Sequence, residues 1–344
     1  MKNTEIMNRS LLNEMIEKKY VKVQKHPEAD LFIYNYTDMA QYDWVWNEVT
    51  MMCRGLILDK EDTVVARPFQ KFFNFGDHGH IDIPNESFEV YEKMDGSMGI
   101  LYWLNDQPLI ASRGSFSSEQ AIKGTEMLYN QYQQVFPHLN KDKTYIFEII
   151  YPENRIVVDY GRREELVLLA IIDTETGIDE VLKDIGFPLV KHYNGITDIR
   201  TLKIENEYNR EGYVVKFKGG LRYKIKFDEY MRVHRIVTQV SSIDIWEYLK
   251  NGDSFEDVLH KVPDEFYQWV KNTRADLLRK YEAIEQQCLK DYKEFETRKE
   301  AALYFQTCAY PSILFSMLDK RPYDQDIWKR IRPVFQKPFK EDVE

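Results

Sequence analysis

A change of hydrophobic period divides this chain. Up to about Lys226, apolar residues alternate with polar ones in short runs bounded by turn residues, whereas from about Met231 they recur at three- and four-residue intervals. Period two turns alternate side chains to opposite faces of a strand, and the longer period puts them on one face of a helix. The candidate strands are Asp30 to Tyr36, Arg54 to Asp59, Val64 to Phe69, Ser87 to Lys93, Met98 to Leu104, Leu109 to Ser115, Thr144 to Tyr151, Leu166 to Asp173, Glu211 to Lys218 and Arg222 to Phe227. A helix opens at Ser117-Ser118-Glu119 and runs toward Phe136, and shorter helices are expected over Thr176 to Ile185 and Asp198 to Tyr208.

Beyond the change, Ile236, Val240, Ile243, Trp246 and Leu249 begin a helical stripe. Phe266, Trp269, Val270, Leu277, Leu278, Tyr281, Ile284, Cys288 and Tyr292 continue it, and Ala301 to Leu318 and Ile327 to Phe335 add two further segments. The expected fold class is α+β, with an antiparallel-sheet domain over residues 1–236 and a smaller all-helical domain over residues 237–344. No internal repeat is visible.

With 47 basic and 57 acidic residues the chain carries a net charge of −10, which argues against coating nucleic acid by bulk attraction. Basic residues nonetheless cluster at Arg162-Arg163, Lys216 to Lys226, Arg232 to Arg235 and Lys329 to Arg332, so any nucleic acid is expected in a cleft. The longest apolar run, Leu166 to Ile172, is too short to span a bilayer, and Met1 to Ser10 lacks a signal-peptide pattern. A cytoplasmic protein without a membrane partner is expected. Cys53, Cys288 and Cys308 have no spacing suited to a disulfide framework or a structural zinc site.

The chemistry centres on Tyr91-Glu92-Lys93-Met94-Asp95-Gly96-Ser97, where a lysine leaves a strand and enters an Asp-Gly turn. Asp-Gly alone is ordinary hairpin punctuation. Its company gives it weight: Glu148 in a strand, Glu211 opening another, and Lys224-Ile225-Lys226 just beyond. A lysine nucleophile must shed its proton, which neighbouring cations favour. Lys224 and Lys226 share one strand face and would supply that positive charge, also neutralising a phosphate in the transition state; a solvated strand face is the plainer reading of the same pair. Glu211 suits the nucleophile or a divalent metal, and Glu148 a ribose hydroxyl.

In this order the elements resemble the nucleotidyltransferase motifs of the covalent ligase and capping-enzyme superfamily, and within it the ATP-dependent RNA ligase 1 family of T-even phages. Phe32-Ile33-Tyr34-Asn35-Tyr36, Cys53-Arg54-Gly55, Lys71-Phe72-Phe73-Asn74, Phe147-Glu148 and Asn154-Arg155-Ile156-Val157 extend the likeness across most of the first domain. The resemblance implies a nucleotidyltransferase fold, described as ATP-grasp-like, with Lys93 as the adenylylated residue and Glu211, Lys224 and Lys226 around it. It also implies nucleotide contacts from Tyr36, Arg54, Lys71, Glu92, Arg113 and Glu148. Arg54 and Lys71 would lie near the leaving pyrophosphate, Arg113 near phosphate and Glu148 near ribose. The implied cofactors are ATP and Mg2+, for which Mn2+ can substitute, with Glu211 as metal ligand. The implied substrate is RNA with 5′-phosphate and 3′-hydroxyl ends, including tRNA breaks in a repair role, with the helical domain biasing substrate choice. A phage-encoded enzyme acting in host cytoplasm fits this likeness.

Two positions depart from the wider superfamily. Ser97 and Met98 follow Gly96 where DNA ligases and capping enzymes usually carry an arginine two residues after the glycine, and Leu166 to Ile172 offers no aromatic ring to stack on a base. Arg113 stands where some family members have lysine, which keeps the charge but changes the donor geometry. A GTP-dependent capping guanylyltransferase and a catalytically silent RNA-binding module are the alternatives. Asp77, His78 and His80 lack further metal ligands nearby; Trp246, Trp269 and Trp328 read as core; Lys329 to Arg332 reads as a solvated helix face.

Overall fold

The computed structural model describes residues 7–76, 83–203, 207–231, 234, 240–253, 259 and 267–336. Asp77, His78, His80, Arg232, Arg235, Phe266 and the period change at Ile236 lie outside the described residues. The chain divides into two compact units, Met1–Val237 and Thr238–Glu344.

The first unit runs α1 (Arg9–Glu17), β1 (Val21–Lys25), β2 (Leu31–Tyr36), α2 (Asp38–Tyr42), α3 (Glu48–Met52), β3 (Arg54–Asp59), β4 (Val64–Ala66), β5 (Phe73–Asn74), β6 (Phe88–Lys93), β7 (Ser97–Leu104) and β8 (Gln107–Ser112). It continues with α4 (Glu119–Gln131), β9 (Lys143–Ile150), β10 (Glu165–Asp173), β11 (His192–Tyr193), β12 (Gly212–Phe217) and β13 (Arg222–Lys226). Three sheets result, ordered β1-β2-β3-β4, β10-β9-β7-β8 and β11-β6-β12-β13-β5. Every pairing is antiparallel except the short one between β13 and β5.

Alternation along the strands builds the layers. On β9, Phe147 and Ile149 face α4 and pack with Met127 and Leu128, while Ile146 faces the first sheet and meets Ile33, Ile57 and Ile100. The outer face of the first sheet is closed by α1 and α3 through Leu12, Met15 and Val49. The third sheet buries Val90, Tyr213, Val215, Phe217 and Ile225 on one side. Each such side chain contributes about 1.5–3 kcal/mol of burial free energy, so register is strongly specified. The opposite side of that sheet carries Lys93, Lys224 and Lys226.

Several expected helices differ. Thr176 to Ile185 is irregular: Asp173 Oδ1 accepts from both the amide and the hydroxyl of Thr176, at 2.8 and 2.7 Å, and Gly177 has φ +74°. Side-chain capping of local amides and a left-handed glycine compete directly with helix formation. Asp198 to Tyr208 contracts to a 3-10 turn at Ile199–Lys203, followed by residues outside the description. α4 stops at Gln131, and Pro137 lies in the 3-10 turn Gln133–His138 that follows it.

The second unit contains α5 (Ser242–Asn251), α6 (Tyr267–Asp291), α7 (Arg298–Phe305), α8 (Pro311–Leu318) and α9 (Asp324–Arg330). Ala301 to Leu318 is thus two helices, because Pro311 starts a new one at its first position. The helix expected over Ile327 to Phe335 ends at Arg330, shortly before Pro333. Trp246 Nε1 donates to the Trp328 carbonyl at 2.8 Å, and both side chains are buried. Among the described residues no helix is long and apolar enough to cross a membrane.

Candidate active site

Three neighbouring strands place Lys93, Gly212 and Lys226 in one cross-strand row. Gly212 contributes no side chain there, and the residue before it, Glu211, is only 4% exposed. Lys93 Nζ donates to Glu211 Oε2 at 2.8 Å, and Lys226 Nζ stands 3.4 Å from Glu211 Oε1. One buried carboxylate therefore serves two ammonium groups, and the three charges hold the ends of β6, β12 and β13 together. Lys224 lies two residues from Lys226 on the same strand face, in register with Val214 and Asn74.

The turn after Lys93 is fixed by Asp95, itself 3% exposed. Asp95 Oδ2 accepts from the Val157 and Val158 amides at 2.8 Å each, and Oδ1 from the Tyr230 hydroxyl at 2.8 Å. The Asp95 amide donates to Tyr160 Oη at 2.8 Å, and Ser97 Oγ to Asn154 Oδ1 at 3.1 Å. On β9, Glu148 Oε1 accepts from the Gly96 amide at 2.9 Å. Burial pushes the Glu148 carboxyl up to about 7, with Glu211 adding to the effect and Lys93 and the Gly96 amide opposing it.

Part of this constellation borders a cleft of about 650 Å³, within the range of small-ligand pockets. Lys93, Gly96 and Glu148 border it, with Lys216 and Arg222 from the third sheet and Leu169, Leu182, Val190 and Val214 as apolar wall. Arg54 and Arg113 also line it. The Arg54 guanidinium is oriented by the rings of Phe69 and Phe72, 4.9 and 5.2 Å away. Arg113 Nη1 donates to Tyr36 Oη at 3.3 Å.

Of the expected site residues, Tyr36, Lys71, Glu211, Lys224 and Lys226 are not among those bordering the cleft, and Lys71 and Glu92 have surroundings of their own. Lys71 is 5% exposed and is not among the residues bordering the cleft; its ammonium donates to Gln41 Oε1 at 2.7 Å inside a box of Tyr36, Trp46 and Phe73 rings at 5.0–5.4 Å. It reaches the cleft through Tyr36, which bears on Arg113. Glu92 borders the cleft, but strand alternation turns its carboxylate to the opposite face, 3.6 Å from Arg210 Nε.

Both oxygens of Glu211 face ammonium groups, and among the described residues no cluster of three or more His, Cys, Asp or Glu is arranged to hold a metal. A magnesium ion fits only as one carried in by phosphates, with water and at most one or two carboxylates completing its shell.

The sequence assigns no role to Asp95, Asn154, Tyr160 and Tyr230, nor to Lys22 and Asn35, which line the cleft from β1 and β2. The alternation Val21-Lys22-Val23 was the available signal for β1.

A family model described as RNA ligase matches residues 52–231. A Thermovibrio ammonificans protein named putative RNA ligase is 28% identical over 291 residues, covering 79% of this chain and 70% of that one. An RNA ligase of a Rhodothermus phage is 22% identical over 378 residues, covering 85% of each. A putative bifunctional polynucleotide kinase/RNA ligase of Autographa californica nuclear polyhedrosis virus is 29% identical over 254 residues, covering 65% of this chain but only 36% of that protein. Among solved structures, a Naegleria gruberi RNA ligase with ATP and manganese aligns with TM-score 0.36 at 19% identity, over 44% of this chain and 52% of that one. A putative ATP-dependent DNA ligase from Aquifex aeolicus aligns with TM-score 0.45 at 16% identity, over 92% of this chain and all of that one.

Proposed function

This chain belongs to the RNA ligase family, and on that footing we propose that it seals 5′-phosphate and 3′-hydroxyl RNA ends with ATP in three phosphoryl transfers. Lys93 Nζ attacks the α-phosphorus; a nitrogen–phosphorus bond forms, the bond to the bridging oxygen breaks, and pyrophosphate leaves with the electron pair. The ammonium proton passes to Glu211 or to solvent. A 5′-phosphate oxygen of RNA then attacks the lysyl-AMP phosphorus and releases Lys93. Finally the 3′-hydroxyl attacks the activated 5′-phosphate, and AMP departs as the phosphodiester closes.

The observation that carries this reading is the buried Glu211 carboxylate held between Lys93 and Lys226, beside a cleft lined by Lys93, Arg54 and Arg113. Glu211 holds the nucleophile and receives its proton; Lys226, with Lys224 behind it, offsets charge on the α-phosphate. Arg54 and Arg113 take the leaving pyrophosphate, and Lys71 positions Arg113 through Tyr36. Glu148 holds a ribose hydroxyl. A divalent ion, magnesium or manganese, would arrive with the nucleotide phosphates and supply further charge neutralisation, with Glu211 as its protein ligand once Lys93 has turned away. The helical unit would bias substrate choice toward particular RNA breaks, those in tRNA among them. Two relatives are viral or phage proteins, which fits repair work in the cytoplasm of an infected cell.

The test is intact mass after incubation with ATP and magnesium, repeated with GTP and with Lys93→Ala. A gain of AMP, absent from the variant, is expected. Retention of GMP alone would make the protein a capping guanylyltransferase, and no adduct from either nucleotide would overturn the reading.

A further inference from the structure

At the end of the cleft occupied by Arg113, the loop after β8 meets the paired strands β1 and β2. Lys22 and Asn35 are direct cross-strand partners there, so both side chains leave the same face of the sheet. Both line the cleft, together with Ser112, Arg113 and Gly114. A Cβ placed on Gly114 would stand 3.5 Å from Asn35 Nδ2 and 3.5 Å from Lys22 Cε. The bare glycine thus leaves a gap walled by an amide nitrogen and a lysine stem.

Two features of this corner lack a use within the protein. Lys22 is exposed and forms no ion pair with the described residues, although acidic side chains outnumber basic ones in the chain as a whole. Asn35 is 4% exposed, and its Oδ1 is buried with no hydrogen-bond partner among the described residues. Native proteins rarely carry a buried unpaired acceptor. The Asn35 amide nitrogen borders the gap, so that the corner presents an N–H donor beside Arg113 and an ammonium group without an ion pair among the described residues.

We propose that Lys22, Asn35 and the gap over Gly114 form a phosphate-binding subsite at the Arg113 end of the cleft. It rests on the ligase reading for the identity of its ligand, which is the terminal phosphate of ATP or the 5′-phosphate of the RNA strand. Both offer the same chemistry: an anion with several acceptor oxygens, suited to one ammonium group, one amide donor and a guanidinium. Lys22 and Asn35 act by binding and positioning that phosphate and take no part in bond making.

The experiment compares the full chain with Lys22→Ala, Lys22→Arg and Gly114→Val. Lys22 is exposed on β1, so its variants retain the fold, and Gly114→Val fills the gap while leaving both polar groups in place. One arm titrates inorganic pyrophosphate and follows thermal stabilisation. The other measures binding of a short oligoribonucleotide with a 5′-phosphate against the same strand with a 5′-hydroxyl. Lys22→Ala and Gly114→Val are expected to weaken binding by about tenfold, the scale of one lost charge-assisted contact, and Lys22→Arg to restore most of it. A loss confined to pyrophosphate assigns the subsite to ATP, and a loss confined to the 5′-phosphate preference assigns it to RNA. Binding by Lys22→Ala and Gly114→Val that matches the parent protein in both arms overturns the subsite. If the parent forms no lysyl-AMP but these losses appear, the ligase reading falls and the phosphate subsite stands.

Discussion

Lys93 Nζ and Glu211 Oε2 meet at 2.8 Å although 118 residues separate them in the chain. The contact joins the last residue of β6 to the residue before β12. Glu211→Gln keeps the shape but removes the negative charge that neutralises Lys93 and Lys226. Lysyl-AMP formation in a single turnover should slow by about a hundredfold or more, the usual scale for removing an acid–base partner. A rate equal to that of the parent at neutral pH would remove Glu211 from proton transfer.

Glu148 carries a pH signature of its own. Its carboxyl is raised from 4.5 to about 7, chiefly by burial. The folded state therefore holds this proton more tightly than the unfolded chain, so the group's contribution to stability is fully present below the unfolded value and is lost as pH rises through about 7. Glu148→Gln cannot ionise. Relative to the parent protein it should gain stability between about pH 5 and about pH 8, on the order of 2 kcal/mol given 1.4 kcal/mol per pKa unit and partial solvent access. Melting temperatures of the two proteins across that range check this; a constant difference would show that Glu148 titrates normally.

Asp95 is the residue through which the turn after Lys93 is tied to the rest of the unit. Its carboxylate satisfies two backbone amides and the Tyr230 hydroxyl, all at 2.8 Å. Asp95→Asn turns an NH2 group toward donors or breaks the third contact, and should cost roughly 2–4 kcal/mol by chemical denaturation. Tyr230→Phe removes one neutral donor and should cost about 1 kcal/mol. Equal effects from the two changes would mean that the amide contacts contribute nothing.

The strands that build the site were legible because each buries one face: Arg54–Asp59 was read residue for residue, and β6, β7, β9 and β12 within one or two positions. β1 was missed because it is short, its alternation covering only Val21-Lys22-Val23 before the polar Gln24 and Lys25. The helix expected over Thr176 to Ile185 failed because Asp173 and Gly177 decide that backbone locally, against a hydrophobic spacing that suited a helix. Within the site, the pairing of Lys93 with Glu211 was suggested by charge and order along the chain. The enclosure of Lys71 by three rings was not, since Tyr36, Trp46 and Phe73 converge only after β2 and β5 are in place. Asp95 looked like a turn residue because its partners lie 62 to 135 residues away.

Gly212 offers the sharpest test of how the lysine row is built. It sits between Lys93 and Lys226 in register, with φ +148°, a conformation that side-chain-bearing residues rarely adopt. A Cβ there would stand 2.8 Å from Lys226 Cα and closer still to the Ile225 carbonyl oxygen, so the obstacle is main chain and cannot rotate away. Gly212→Ala must push β13 outward, and β13 carries Lys224 and Lys226. A loss of at least about 3 kcal/mol is expected from strain and overpacking together. Lysyl-AMP formation should fall even in whatever fraction remains folded at low temperature, because Lys226 is displaced from Glu211. Melting curves and adduct mass on the same preparation separate the two effects. A variant as stable and as readily labelled as the parent would show that the row tolerates a side chain, and that the close approach of β12 and β13 is not what aligns the lysines.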